Sequence, residues 1–346
     1  MNGRNECELA VRLSPVQGRS WPLVADQEPL SAGFSVSGER QLYMAGNRPS
    51  GVTSVSCLHE TPAHRRSREL GHGHNTRKKK GGRSQFQLIA GKLVLVPVIS
   101  NRIRQMTFEF EELDFQNPPL GEISLRRRAE PRLEGEILYE VKLGDEFLMS
   151  SLFTNAEIQL ARLGVAALEG TCLDIVVGGL GLGYTASAAL EDPSVRSVMV
   201  IEVMEPVIDW HRRGLVPLGK ELMADSRCTL VHADFFEVAS SPGCGFDRAT
   251  PTRLVHAVLL DIDHSPSHWL NPGNSTFYRA PSLRSLADKL HPGGIFGLWS
   301  NDPPDAEFTR LLNTVFQSSE SHIVCFQNPY SGGESSNTIY LAHKSK

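Results

Sequence analysis

Residues 174–202, DIVVGGLGLGYTASAALEDPSVRSVMVIE, restrict the fold of this 346-residue chain more than any other stretch. Leu173, Ile175, Val176 and Val177 form a short apolar run without alternation, as expected of a parallel strand covered on both faces. Gly178, Gly179, Gly181 and Gly183 follow at once, so the backbone can turn sharply and a ligand can approach it closely. Residues 184–190 are alanine-rich and predict a helix. Residues 197–201 predict the next strand, which Glu202 closes with a carboxylate. An acid about 20 residues beyond a glycine turn is where nucleotide-binding α/β folds hold ribose hydroxyls. The unit therefore reads as a binder of an adenosine-like group; the plainer alternative is a tight turn with a surface acid.

The flanking sequence extends this unit into a sheet. Further strands are predicted at 228–232, before Asp234, at 255–260, before Asp261 and Asp263, and at 295–299. Helices are predicted at 155–168, 206–214, 282–290 and 305–316. Two last strands, 323–327 and 338–342, are joined through Asn328–Pro329–Tyr330 and Gly332–Gly333. Alternating strands and helices imply a mostly parallel sheet, whose ligands bind beyond the carboxyl ends of the strands. Gly179, Gly181, Gly183, Glu202, Asp234 and Asp261 all fall on that edge. Ahead of this region, 121–126, 137–143 and 146–150 read as a small antiparallel sheet. Thr154 with Glu157 reads as a capping box opening the helix at 155. The expected domains are a low-order polar and basic tail (1–105), a small β domain (106–153) and a nucleoside-binding catalytic domain (154–346).

Composition narrows the partners. A net charge of −4 and 40% hydrophobic residues give no global attraction for nucleic acid. The local exception is the tract 64–83, where Arg65, Arg66, Arg68, Arg77, Lys78, Lys79, Lys80 and Arg83 oppose only Glu69. It reads as a solvated tail, with a nucleic-acid arm or import signal as the sharper alternative. Within the same region, 86–99 could be a stray strand limited by Gly91 and Pro97, and ordered-looking sequence starts directly after Met106, a candidate biological start. No apolar stretch approaches the ~18 residues of a membrane span, and no secretory signal is legible. The six cysteines lie far apart, which predicts reduced thiols in a cytoplasmic protein. His64, His72 and His74 lack ligand partners at suitable spacing. Asp261, Asp263, His264 and His268 could supply metal ligands, yet a polar loop at a strand end is the simpler reading, and no metal is expected.

In order, GGLGLG, VIEV, HADFF and LLDIDHSP, followed by TFYRAPSLRSLADKLHPGGIFGLWS, resemble the spermidine synthase (polyamine aminopropyltransferase) family. The resemblance covers about residues 107–343. It implies a Rossmann-like class I AdoMet-methyltransferase fold, an α/β architecture with a seven-stranded, mostly parallel sheet behind a small antiparallel β domain. Matched position by position, it assigns Gly179, Gly181 and Gly183 to the nucleoside loop, Glu202 to the ribose and Asp234 to the adenine amine. It assigns Asp261 to the proton from the attacking amine, with Asp263 as a second catalytic acid, and implies a homodimer acting on a small-molecule amine. Three departures stand out. The acid of the family's GGGDGG loop is read here as Leu182; the DSSDP-type stretch is DIDHSP; and the first helix, NAEIQLARLG, offers Glu157 and Gln159 where the family has His and Tyr. The donor is accordingly decarboxylated AdoMet, for aminopropyl transfer to a polyamine, or AdoMet, for methyl transfer. A non-catalytic binding protein is the third reading. Trp269, Phe277 and Tyr278 are acceptor-pocket or packing candidates.

Overall fold

The structure, a computed structural model, describes residues 110–346. The tail with its basic tract, the segment 86–99 and Met106 lie outside the described residues.

Two sheets make up the described region. The smaller is an antiparallel meander of β1 (Phe110–Gln116), β2 (Ile123–Glu130), β3 (Glu136–Leu143) and β4 (Glu146–Ser150), in that order. Ile123 and Leu125 of β2 and Leu138 and Val141 of β3 are buried, and turn-forming sequence bounds both strands. β1 was not expected. Its aromatic residues Phe110 and Phe115 stay exposed, and the strand is tied down by tertiary contacts: Trp210 Nε1 donates to Asp114 Oδ2 at 2.6 Å. On β2, Arg126 and Arg128 both bond Glu140 of β3, at 2.7 and 2.8 Å. Arg128 also donates to Glu130 and, at 2.7 Å, to the hydroxyl of Tyr330, which itself donates to Glu130 at 2.8 Å. The Asn328–Pro329–Tyr330 turn thus docks the last hairpin onto the small sheet.

The larger sheet follows α1 (Asn155–Ala166) and contains β5 (Leu173–Gly178), β6 (Val195–Glu202), β7 (Cys228–His232), β8 (Val255–Leu260), β9 (Leu290–Ser300), β10 (Ser318–Asn328) and β11 (Gly333–His343). Their spatial order is β10-β11-β9-β8-β5-β6-β7; β5, β6, β7, β8 and β9 pair in parallel, and β11 runs antiparallel to both neighbours. This is the seven-stranded arrangement expected.

Both faces are covered. Ile175 and Val177 of β5 join Leu160 of α1, Ala186 of α2 (Tyr184–Leu190) and Ile208 of α3 (Glu205–Arg213) in one core. Val176 joins a second core with Phe235 of α5 (Phe235–Ser240), Leu283 of α6 (Ala280–Asp288) and Phe308 of α7 (Ala306–Leu312). The remaining helix, α4 (Gly219–Ala224), packs beside α3. Double coverage explains why β5 shows no polar alternation. Phe277 and Tyr278 are buried in the second core, so their first role is packing. Among the described residues no helix is long and apolar enough to cross a membrane. Among the described residues, Cys172 and Cys228 are free thiols.

Candidate active site at the carboxyl edge of the sheet

The chain leaves β5 toward β6 and β7, then returns as β8 on the other flank of β5. This reversal opens a crevice beyond the carboxyl ends of β5 and β8, where ligands of doubly wound sheets bind. The glycine loop crosses it. Gly179, Gly181 and Gly183 have φ of 95°, 48° and 94°, the left-handed region that disfavours side chains. Gly179 donates to Ile201 O at 3.0 Å, and Asp261 donates its amide to Gly178 O at 2.8 Å, so the loop is laced to β6 and to the end of β8. A Cβ on Gly179 would lie 2.2 Å from Asp261 O, a backbone atom that cannot swing aside. Gly179→Ala is therefore expected to cost about 3 kcal/mol of stability and to abolish nucleoside binding, as read by denaturant melts and calorimetry. A stable variant with normal binding would show that the loop tolerates another path.

His211 of α3 supports the loop from below. It is fully buried, its Nε2 lies 3.0 Å from Gly181 O, and burial lowers its pKa, so it sits as a neutral imidazole donating to that carbonyl. Glu202, at the end of β6, is only 8% exposed. Its Oε2 accepts from Leu180 N at 2.9 Å and its Oε1 from Met204 N at 2.7 Å. Burial raises its pKa, while the amides of Met204, Leu180 and Val203 act against that shift. Glu202 thus holds the turn together, and each oxygen keeps a second lone pair for another donor. Asp234 caps α5, its Oδ1 accepting from Phe236 N at 2.8 Å and Glu237 N at 3.2 Å, with its side chain exposed on the same edge.

Asp261 stands just past β8, partly exposed, and accepts from Thr185 Oγ1 of α2 at 2.7 Å. Burial of its carboxyl pushes its pKa up to about 6, against the lowering effect of the Thr185 hydroxyl. Glu157 completes an acidic pair. Thr154 makes no side-chain cap bond, so the predicted capping box is absent and Glu157 turns inward instead, 7% exposed in the first turn of α1. Burial first, and then the charge of Asp261, raise its pKa well above the ordinary range. Within the pair Glu157 therefore holds its proton the more tightly, and Asp261 ionises first. In the sequence Glu157 is a polar candidate whose spacing from Thr154 points to the helix cap instead.

Asp263 lies two residues on and faces elsewhere. It is 1% exposed; its Oδ1 accepts from Leu270 N at 2.8 Å and Asn274 Nδ2 at 2.9 Å, and its Oδ2 from Tyr278 OH at 2.9 Å. It organises the loop after β8, and the structure brings Asp261, not Asp263, to the glycine turn. The reading of Leu182 is also corrected. Leu182 is fully buried in the core and its side chain does not line the crevice. Aligned residue for residue, GGLGLG sets Gly181 against the acid of GGGDGG. There a Cβ would meet Met149 Sδ of β4 at 2.5 Å, and Leu182 N donates to the same sulfur at 3.0 Å. Neither Gly181 nor Leu182 supplies a carboxylate.

No protein-family model matches the chain. Putrescine N-methyltransferase 2 of Nicotiana attenuata is 28% identical over 121 residues, 35% of this chain and 29% of that protein. Putrescine N-methyltransferase 1 of Nicotiana tabacum is 28% identical over the same length, 35% of this chain and 28% of the relative. The chain thus spans less than a third of the length of these curated relatives. Among solved structures, spermidine synthase from Thermotoga maritima aligns with a TM-score of 0.52 and 18% identity, over 68% of this chain and 73% of that one. A spermidine synthase in complex with the transition-state analogue AdoDATO aligns with a TM-score of 0.53 and 18% identity, over 68% and 74%. The fold is that of the spermidine synthases.

Proposed function

We propose that this chain transfers an alkyl group from a sulfonium nucleoside to a nitrogen of a di- or polyamine. The observation that carries the reading is Asp261: an aspartate beyond β8, bonded through its own amide to Gly178 and facing the glycine loop across the chain reversal. In this reading Gly179, Gly181 and Gly183 let the nucleoside lie against the backbone, Glu202 takes the ribose hydroxyls and Asp234 the adenine amine. The acceptor's nitrogen lone pair attacks the carbon bonded to sulfur. The C–S bond breaks, its electrons pass to sulfur to leave a neutral thioether, and the ammonium proton passes to Asp261. Asp263 acts one step removed, by fixing the loop that carries Asp261. Glu157, protonated, keeps the pair at one negative charge, suited to a cationic amine. Holding the two reactants in line supplies the larger share of the barrier reduction, about 7 kcal/mol or more. Nothing in this step calls for a metal ion.

Two donors fit this chemistry. The loop at Gly181 and Leu182 offers no acid to pair with the free ammonium of decarboxylated AdoMet, which favours AdoMet and methyl transfer, as the names of the putrescine N-methyltransferase relatives suggest. Aminopropyl transfer from decarboxylated AdoMet draws support from the fold shared with spermidine synthases. A cytoplasmic homodimer belongs to the same reading, supported by the family resemblance. Calorimetric titration with both donors, followed by turnover assays with putrescine, separates these possibilities. Tighter AdoMet binding with methylated putrescine supports methyl transfer, and preference for the decarboxylated donor supports aminopropyl transfer. Binding of neither would leave a non-catalytic protein on this fold.

A further inference from the structure

The loop after β8 carries two imidazoles that the transfer reaction does not use. His264 Nε2 lies 2.8 Å from Oε1 of Glu146, the first residue of β4. The His268 ring centroid is 4.9 Å from that of His264. One ligand atom from each of Glu146, His264 and His268 falls within 4.8 Å of the others. We infer that Glu146, His264 and His268 form a site for a borderline divalent cation such as Zn²⁺, which would clamp the small sheet to the loop after β8.

Two imidazole nitrogens and one carboxylate oxygen, with water filling the remaining positions, suit Zn²⁺ better than the all-oxygen preference of Mg²⁺ or Ca²⁺. Bonds of about 2.0–2.2 Å to one ion place neighbouring ligand atoms about 3–3.5 Å apart. The Glu146–His264 pair is already near that spacing. Side-chain rotation of the exposed His268 brings in the third ligand.

The backbone that presents the imidazoles is held in advance. Ser265 and His268 exchange two amide–carbonyl bonds of 3.2 Å, which sets His264 and His268 side by side. Asn301 N donates to His264 O at 2.7 Å, Trp269 Nε1 donates to Pro266 O at 2.8 Å, and Asp263 ties the base of the loop through its three donors. Little ordering therefore remains when an ion binds. The sequence grouped His264 and His268 with Asp261 and Asp263. The structure turns both aspartates to other partners and contributes Glu146, 118 residues earlier, from the other sheet. This site does not depend on the transfer reaction.

The test is calorimetric titration of the chelator-stripped full chain with Zn²⁺ and with Mg²⁺, in wild type and in the His264→Ala/His268→Ala variant. The full chain also contains His64, His72, His74 and six cysteines, so the expected result is a Zn²⁺ stoichiometry lower by one in the variant. X-ray absorption of the one-equivalent wild-type complex should show nitrogen and oxygen neighbours only. Zn²⁺ should raise the melting temperature of wild type, and Glu146→Gln should weaken that shift while leaving the metal-free melting temperature unchanged. Equal Zn²⁺ stoichiometry and affinity in both chains, Mg²⁺ binding as tight as Zn²⁺, or a shift unaffected by Glu146→Gln would each overturn the assignment.

Discussion

Asp261→Asn is expected to lower kcat by about 10² to 10⁴-fold while leaving donor affinity within about threefold, because the amide keeps the shape and the Thr185 contact but cannot take a proton. In the proposed scheme Asp261 takes the ammonium proton, so the wild-type rate should climb as pH rises through about 6, where that carboxyl ionises. Asp261→Asn should remove that limb together with the activity. Stability runs the opposite way. The folded-state pKa of Asp261 lies above the ~3.9 of an unfolded aspartate, so its contribution is fully present below about 4 and fades as pH rises through about 6. The variant should lose that part of the pH dependence of the melting temperature. Because Glu157 holds its proton more tightly than Asp261, Glu157→Gln should preserve far more activity than Asp261→Asn. An Asp261→Asn enzyme with wild-type turnover would remove the proton acceptor from the scheme.

Glu202→Ala should be the more damaging change to the molecule as a whole. Its carboxylate satisfies the amides of Leu180 and Met204 inside the turn. Each buried amide left without an acceptor costs about 1–3 kcal/mol, so a loss of roughly 2–4 kcal/mol of unfolding free energy is expected in denaturant titration. Donor affinity should fall at least ~10-fold, since the loop loses its anchor and, in the proposed scheme, the ribose its acceptor. Glu202→Gln separates the two roles: it retains one acceptor oxygen but sets an NH₂ against a backbone amide. A destabilised Glu202→Ala protein with unaltered donor affinity would confine Glu202 to holding the turn, and an unaffected protein would contradict both roles.

Much of this edge was legible because its residues obey local rules. The β5 run is apolar on both faces, the glycines follow it directly, and acids close β6 and β8, so the succession of strands and the edge on which glycines and acids gather could be read without partners. What escaped depended on contacts distant in sequence. β1 has no inward apolar row and is fixed by Trp210, 96 residues away. Glu157 has the spacing of a cap residue, and only the fold shows that the charge of Asp261 acts on it. Read by sequence, Leu182 stands against the loop acid of the resembling family, one residue out of register with Gly181, and only the fold shows that its side chain turns into the core. Asp234 was read solely as a base-recognition acid, although its position before Phe235 also makes it the N-cap of a short helix.

The Tyr330 latch bears on the order in which the chain acquires its structure. The meander β1-β2-β3-β4 is built from neighbours in sequence and leaves the ribosome before the larger sheet, yet Arg128 and Glu130 meet the Tyr330 hydroxyl 202 and 200 residues later. During synthesis these two charged groups have one another, Glu140 and the Arg132 amide as partners but not the Tyr330 hydroxyl, and the nascent sheet waits with one side unfinished. Contacts of such separation slow folding, since a long loop must close before they form. Consolidation of the first sheet is therefore tied to arrival of the last hairpin, and a chain stopped before residue 330 would keep the strands of its small sheet but lack the clasp that completes it.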